Sequence, residues 1–280
     1  MPMPRIWFNG ALVASEHATI SVLDRGLLSG HGLFETLRAY NGEPWAATDH
    51  YVRLAQGAEW IDLPLPSEET VTSALRETLR VNELHDAGVR VTITRGTGPI
   101  DPQSEADSDP NMFVLAWQLR DYTALHADGA VIVTFAHGAR ALAHVKSTSY
   151  AMSVAGRVYA KRAGADDALF TSGGRVLEAT GSNLFAAWGD RLVTPPLDEG
   201  ILPGVTRHHV IEVAREIGFD VDTAPLRVDE LETADEVVLT SSLREVYRAR
   251  SIDGVQMRDA DVASRLREAY RRRVLSASSG

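Results

Sequence analysis

The sequence has no cysteine. Disulfides, thiolate metal sites and a thiol nucleophile are therefore excluded, and a reducing compartment fits. No apolar run approaches the ~18 residues of a membrane span. The opening MPMPRIWFNG has neither a basic stretch nor an apolar one, so no secretory signal is expected. Net charge is −10 and no basic stripe interrupts it, which argues against a nucleic-acid partner. The expectation is a cytoplasmic protein with no nucleic-acid or membrane partner and no metal. Lysine is nearly missing too: Lys146 and Lys161 are the two lysines among 28 basic residues. What is present is a 280-residue chain, 44% hydrophobic, able to bury a sizeable core in one large domain or two smaller ones. Such a composition suits an enzyme of small molecules.

Several stretches announce local structure. RIWFNGALV (5–13) reads as two strands around an Asn-Gly turn. Residues 67–82 read as a helix, with Ser67 as N-cap and Val71, Ala74, Leu75 and Leu79 as its apolar stripe. GVRVTITRG (88–96) and FVLAW (113–117) read as strands, separated by a polar, Pro-rich loop over 96–110. Residues 118–129 read as a connector. The second half offers strands at 130–135, 166–170, 176–179 and 236–240, with helices at about 148–163, 204–217 and 260–275. Strands and helices mix without a regular βαβ rhythm, so the expected fold class is α+β.

Arginine can replace lysine in most surface roles but cannot form a Schiff base. A lysine kept in an arginine-rich chain therefore points to amine chemistry, or else to a solvated surface position. Lys161, followed by Arg162 late in a helix, takes the second reading. Lys146 follows ALAHV and precedes Ser147, Thr148 and Ser149, three candidate caps for the next helix, and leaves both open. A Schiff-base lysine usually implies pyridoxal phosphate, which needs an acid for its ring nitrogen and a seat for its phosphate. RVLEATGSNLF (175–185) puts Glu178 at a strand end among apolar neighbours. ILPGVTRHHV (201–210) runs a Pro-Gly turn into a helix whose first amides, at Val205 and Thr206, favour an anion. LTSS (239–242) ends a strand with three hydroxyls. Each signal is weak alone.

Taken together, DRGLLSGHGLFETLR (24–38), DHYVRL (49–54), Lys146, LEATGSNLF, TPPLDEGILPGVTR (194–207) and LTSSLREV (239–246) resemble the class IV, fold-type IV pyridoxal-phosphate enzymes. These include branched-chain and D-amino-acid aminotransferases, (R)-amine transaminases and aminodeoxychorismate lyase. The motifs span nearly the whole chain in the family's order. The resemblance implies that Lys146 carries the Schiff base and moves the proton at the reacting carbon. It implies that Glu178 pairs with the pyridine nitrogen, that Leu202 presses on the ring, and that Tyr150 lies near the ring hydroxyl. It gives the phosphate to Arg53, Thr206 and the Val205 amide, with Ser241 and Ser242 assisting. It implies a homodimer and two domains with the cofactor between them: 1–120 small and N-terminal, 121–128 a linker, 129–280 larger and cofactor-binding.

The substrate half is less uniform. Lyase members place an Arg-Gly-Tyr, and D-amino-acid members an Arg-x-His, in the loop after the strand at 88–95. Here that loop has no Arg or His and carries Asp101, Glu105, Asp107 and Asp109. Branched-chain members show Phe-Glu-Gly and Tyr-x-Arg where this chain has Phe34-Glu35-Thr36 and Gly88-Val89-Arg90. Thr36 matches a lyase threonine and Arg90 an aminotransferase arginine. Phe34, Thr36, Arg90 and His31 are the substrate-side candidates, although Arg90 and Thr36 also suit plain strand positions. The expected activity is transfer of an amino group from a small amino acid or amine to a 2-oxo acid. The alternative is aminodeoxychorismate lyase, and the least favoured reading is a non-catalytic binding protein, against which Lys146 and Glu178 stand together.

Overall fold

A computed structural model describes residues 4–99, 101, 109–138 and 141–277. The chain divides into two compact units. The first runs to Arg120 and also takes Val145–Tyr150; the second takes Asp121–His144 and the chain from Ala151 onward.

The first unit opens on the hairpin β1 (Arg5–Phe8) and β2 (Ala11–Ala14). Asn9 and Gly10 both take positive φ, 45° and 94°, as a two-residue hairpin turn demands. A short α1 (Arg25–Leu28) follows, then β3 (Gly32–Tyr40), β4 (Glu43–Pro44), α2 (Ala47–Trp60), α3 (Glu68–Val81), β5 (Ala87–Thr94) and β6 (Asn111–Gln118). The strands form a six-stranded antiparallel sheet ordered β2-β1-β6-β5-β3-β4. Ser67 caps α3 by accepting from Thr70 N, and Val71, Ala74, Leu75 and Leu79 turn inward as the spacing predicts. They pack with Leu54 and Ala58 of α2 on Leu33, Leu37, Val89, Val91 and Ile93. A strand alternates its faces, so Phe34, Thr36, Arg90 and Thr92 lie on the sheet face away from these helices. Asp24, fully buried, caps α1 through Gly26 N (2.7 Å) and accepts from Thr94 Oγ1 (2.7 Å) and Asn111 Nδ2 (2.6 Å).

The second unit begins with α4 (Thr123–Asp128), so the stretch 121–128, read as a linker, carries a helix that packs on a strand of this unit. Its other elements are β7 (Ala130–Ala136), α5 (Ala151–Arg162), β8 (Asp167–Ser172), β9 (Arg175–Ala179), β10 (Asn183–Trp188), β11 (Arg191–Thr194), α6 (Val205–Glu216), β12 (Asp220–Thr223), α7 (Val228–Leu231), β13 (Glu236–Ser241), β14 (Glu245–Ile252), β15 (Val255–Gln256) and α8 (Val262–Ala277). Their sheet is ordered β12-β11-β10-β13-β14-β7-β8-β9, with β15 beside β14. It is mixed: β11–β12, β14–β7 and β7–β8 run parallel. One face buries Leu184, Ala186, Val237, Leu239 and Tyr247 in a common core. Helices α6 and α8 pack on each other and on β13. The α+β class therefore holds.

One helix starts later than the sequence suggests. α5 begins at Ala151, not near 148, because Thr148 is committed elsewhere. Its N–H donates to Gly32 O (2.8 Å) and its hydroxyl to Gly30 O (3.0 Å), which keeps 146–148 extended beside β3. Ser147, Thr148 and Ser149 are thus not helix caps. Among the described residues no helix is long and apolar enough to cross a membrane.

Candidate active site

In the first unit the lysine is held in place through its backbone. Phe34 N donates to Lys146 O (3.0 Å), and Leu33 and Ser147 form an isolated antiparallel bridge. The segment thereby runs alongside β3 without forming a further strand. Lys146 Nζ lies 4.6 Å from the centroid of the Phe34 ring, and the Arg90 guanidinium carbon lies 3.7 Å from it. Tyr150 meets the same ring edge-on, with centroids 5.3 Å apart. Burial holds Arg90 below the usual guanidinium range, with Tyr150 acting in the opposite direction. Arg90 Nε donates to Thr92 Oγ1 (3.1 Å), and Thr36 is its register partner on β3. An aromatic ring thus brings a primary amine, a guanidinium and a phenol together, the cations favoured by its π-face. His31 stands apart from this cluster in its contacts: its Nε2 is 2.7 Å from Ile61 O.

Arg53 has a partner that sequence reasoning missed. Its Nε and Nη2 donate to the two carboxylate oxygens of Glu35 (2.8 and 2.6 Å), and His50 Nδ1 lies 2.7 Å from the same carboxylate. All three side chains are buried. A carboxylate only accepts, so Nδ1 carries the imidazole proton. Burial alone would raise the Glu35 carboxyl, but Arg53 and His50 outweigh it and hold it well below the usual range. Burial pushes His50 below its ordinary value despite Glu35, which keeps it neutral. The signals were in the sequence: Glu35 shares a strand face with Leu33 and Leu37, and the i, i+3 spacing of His50 and Arg53 puts both on one side of α2.

In the second unit Glu178 sits at the end of β9, 5% exposed. Its Oε2 accepts from Asn183 Nδ2 (3.0 Å) and Leu202 N (3.1 Å), and Asn183 Nδ2 also reaches Leu202 O (3.0 Å). Asn183 thereby ties the acid to the turn that enters α6. That turn needs its glycine: a Cβ on Gly204 would stand 1.9 Å from Asn183 Oδ1. Val205 and Thr206, the first two residues of α6, are buried, and no side chain caps their end. A buried helix end without a partner leaves donors unsatisfied. Thr240 Oγ1 is buried with no hydrogen-bond partner among the described residues. Ser241 Oγ accepts from Arg244 N (3.3 Å), and Ser242 is half-buried in the turn after β13. A further network, missed in the sequence, pins the turn after Glu178. Thr180 Oγ1 donates to Asp167 (2.5 Å), Arg244 reaches Asp167 (3.3 Å) and Ser182 (3.0 Å), and Ser182 meets the buried Tyr247 hydroxyl (2.8 Å). Of the four loop acids, Glu105 and Asp107 lie outside the described residues, while Asp101 and Asp109 lie within them.

The comparisons with known proteins agree with one another. The model of the family described as amino-transferase class IV matches residues 32–252. A putative branched-chain-amino-acid aminotransferase of Methanocaldococcus jannaschii is 36% identical over 279 residues, 95% of each chain. A D-alanine aminotransferase of Bacillus licheniformis is 30% identical and covered over 89% of each chain. Among solved structures, the PLP-bound form of a hypothetical aminotransferase from Mycobacterium tuberculosis superposes with a TM-score of 0.88. It is 28% identical, with 98% of this chain and 99% of that one covered.

Proposed function

The chain belongs to the class IV aminotransferases, as its motifs implied, and on that premise we propose that it is a pyridoxal-phosphate-dependent aminotransferase acting through Lys146. The observation that carries this reading is the backbone-anchored lysine beside Phe34 and Arg90. The residues present fit the cofactor. The α6 end has no side-chain cap, Thr240 offers an orphan hydroxyl among the described residues, and Glu178 is a buried acid of fixed orientation. When bound, pyridoxal phosphate supplies an electron sink for the bonds at the substrate's Cα.

The chain's own residues do the rest. Lys146 holds the cofactor through its amine and moves a proton to and from the substrate Cα. Glu178, kept in place by Asn183 and Leu202 N, would pair with the cofactor's ring nitrogen and stabilise its charge. Leu202 would limit the ring's movement, and Tyr150 would serve the ring hydroxyl. The Val205 and Thr206 amides, the Thr206 hydroxyl, Arg53, Ser241 and Ser242 bind phosphate. Arg90, stacked on Phe34 with no carboxylate partner among the described residues, takes a single substrate carboxylate. Phe34 and Thr36 shape the pocket beside it, with His31 at its entrance.

One cation for one carboxylate favours small apolar amino acids or amines as donors over glutamate and aspartate, and a 2-oxo acid as acceptor. The exposed Ile20, Val22, Leu23, Leu27 and Leu28 in one short stretch favour a homodimer. The lack of cysteine fits a cytoplasmic setting. A donor screen with pyruvate and 2-oxoglutarate as acceptors, run beside pyruvate release from aminodeoxychorismate, tests the reading. Transfer from alanine, valine or a small amine supports it. Efficient turnover of D-glutamate, or pyruvate release, moves the protein to the D-amino-acid or lyase branch. Sedimentation at micromolar concentration tests the dimer.

A further inference from the structure

Arg207 is the third residue of α6 and is 7% exposed. Its Nε donates to Thr194 Oγ1 (3.0 Å) and its Nη2 to Pro195 O (3.0 Å), both neutral acceptors. No carboxylate pairs with it among the described residues, and burial alone pulls it down to about 10. Two costs meet here. A guanidinium is removed from water without a counter-charge. It also sits in the first turn of a helix, where the macrodipole disfavours a cation. The other buried arginines have acids: Arg53 pairs with Glu35, and Arg38 with Asp86.

The same end of the helix is short of acceptors. Val205 and Thr206 are buried and uncapped. Thr240 is the register partner of Asn183 across β13 and β10, so the two side chains leave the sheet on one face. Asn183 reaches the Gly204 turn from that face, and the buried Thr240 hydroxyl beside it has no hydrogen-bond partner among the described residues. Uncapped amides, an orphan hydroxyl and an uncompensated cation all ask for one anion.

We propose that Arg207 is the buried counter-charge of the cofactor's phosphate, holding it as a dianion by a fixed field while its own hydrogen bonds stay on Thr194 and Pro195. The proposal rests on the reading that the α6 N-terminus seats that phosphate. Arg207 is a positioning residue, not a catalytic one. It also ties the 194–195 strand end to the helix, so charge and geometry must be separated by experiment.

The test uses the full-length apoprotein and two probes that lack an aldehyde, pyridoxine 5'-phosphate and pyridoxine, titrated by calorimetry. Arg207→Gln removes the charge; Arg207→Lys keeps it and loses the fork. The expected result is a phosphate preference in the wild type that falls about tenfold in Arg207→Gln and survives in Arg207→Lys. Pyridoxine affinity stays unchanged in both. The phosphorus resonance of bound pyridoxine 5'-phosphate stays constant from pH 5.5 to 8.5 in the wild type and titrates in Arg207→Gln. Equal losses for both probes, or a preference lost equally in Arg207→Lys, overturn the proposal in favour of a structural role. If Arg207→Gln does not fold, Arg207→Lys decides it alone: a phosphate preference that falls about tenfold in it overturns the proposal, and one that survives supports it. A wild type that does not prefer the phosphorylated probe overturns the reading of the α6 end itself, which separates the two failures.

Discussion

Glu35→Gln is the substitution that most directly probes the first unit. It keeps the side chain's shape and removes its charge. Glu35 is 1% exposed and receives two hydrogen bonds from Arg53, which is 7% exposed. With the carboxylate gone, a guanidinium stays buried against a neutral amide. Breaking a buried pair from one side costs about 3–5 kcal/mol. For a chain of this size that lowers the melting temperature by roughly 10 °C. Calorimetric melting of the apoprotein at fixed concentration reads it directly. The double variant Glu35→Gln with Arg53→Met, which removes both charges, recovers most of the loss, and with Arg53→Met alone it closes a cycle whose coupling energy is at least ~2 kcal/mol. The pH dependence adds a sign. Folding lowers the Glu35 carboxyl from its ordinary 4.5, so its contribution is complete above that value and fades as pH falls below it. His50 is lowered from 6.5, so its share fades as pH falls below 6.5. The gap between wild type and Glu35→Gln should therefore narrow on acidification below about 4.5. A Glu35→Gln cost under ~1 kcal/mol, or a gap that widens in acid, refutes the argument.

Three other outcomes follow from the site. Lys146→Ala should lose turnover by at least ~10³ while keeping its fold, and borohydride trapping of the wild-type cofactor should label Lys146 by mass mapping; label on Lys161 removes the assignment. Glu178→Gln can still accept from Asn183 and Leu202 N, so the fold should stand while turnover falls on the order of a hundredfold; cofactor lost at an unchanged rate reverses that role. Gly204→Ala drives a Cβ to 1.9 Å from Asn183 Oδ1, and a cost of about 1–3 kcal/mol in thermal stability is expected; a neutral result means that the turn gives way more easily than its geometry implies.

Elements with a single buried face could be read from the sequence. The β1–β2 hairpin and α3 have clear turn or cap residues and a one-sided apolar pattern, and both stand where the pattern puts them. Strand β3 gave no such pattern because nearly all of GLFETLRAY is buried, on both faces. Helix α2 was hidden for a related reason: its inward face includes His50 and Arg53, whose burial depends on Glu35 from another element. The start of α5 failed differently. Ser147, Thr148 and Ser149 have cap-forming side chains, but Thr148 spends its donors on Gly30 and Gly32, more than a hundred residues away. A local pattern records what a residue could bond to, and not which distant partner reaches it first.

The same limit explains which candidate site residues were legible. Lys146 and Glu178 stand out because their chemistry is unusual for their surroundings in the chain itself. Arg207 does not, because an arginine in a sequence rich in arginine carries no surprise until its neighbours are counted. Only the fold shows that Thr194 and Pro195 are its partners and that no acid joins them among the described residues. Arg53 and Arg207 look alike as letters, yet one is neutralised by Glu35 and the other by no acid among the described residues. For Arg207 it is the charge left over after pairing that marks a place where a ligand's charge is needed, whereas Arg53 meets a ligand only as part of its pair with Glu35.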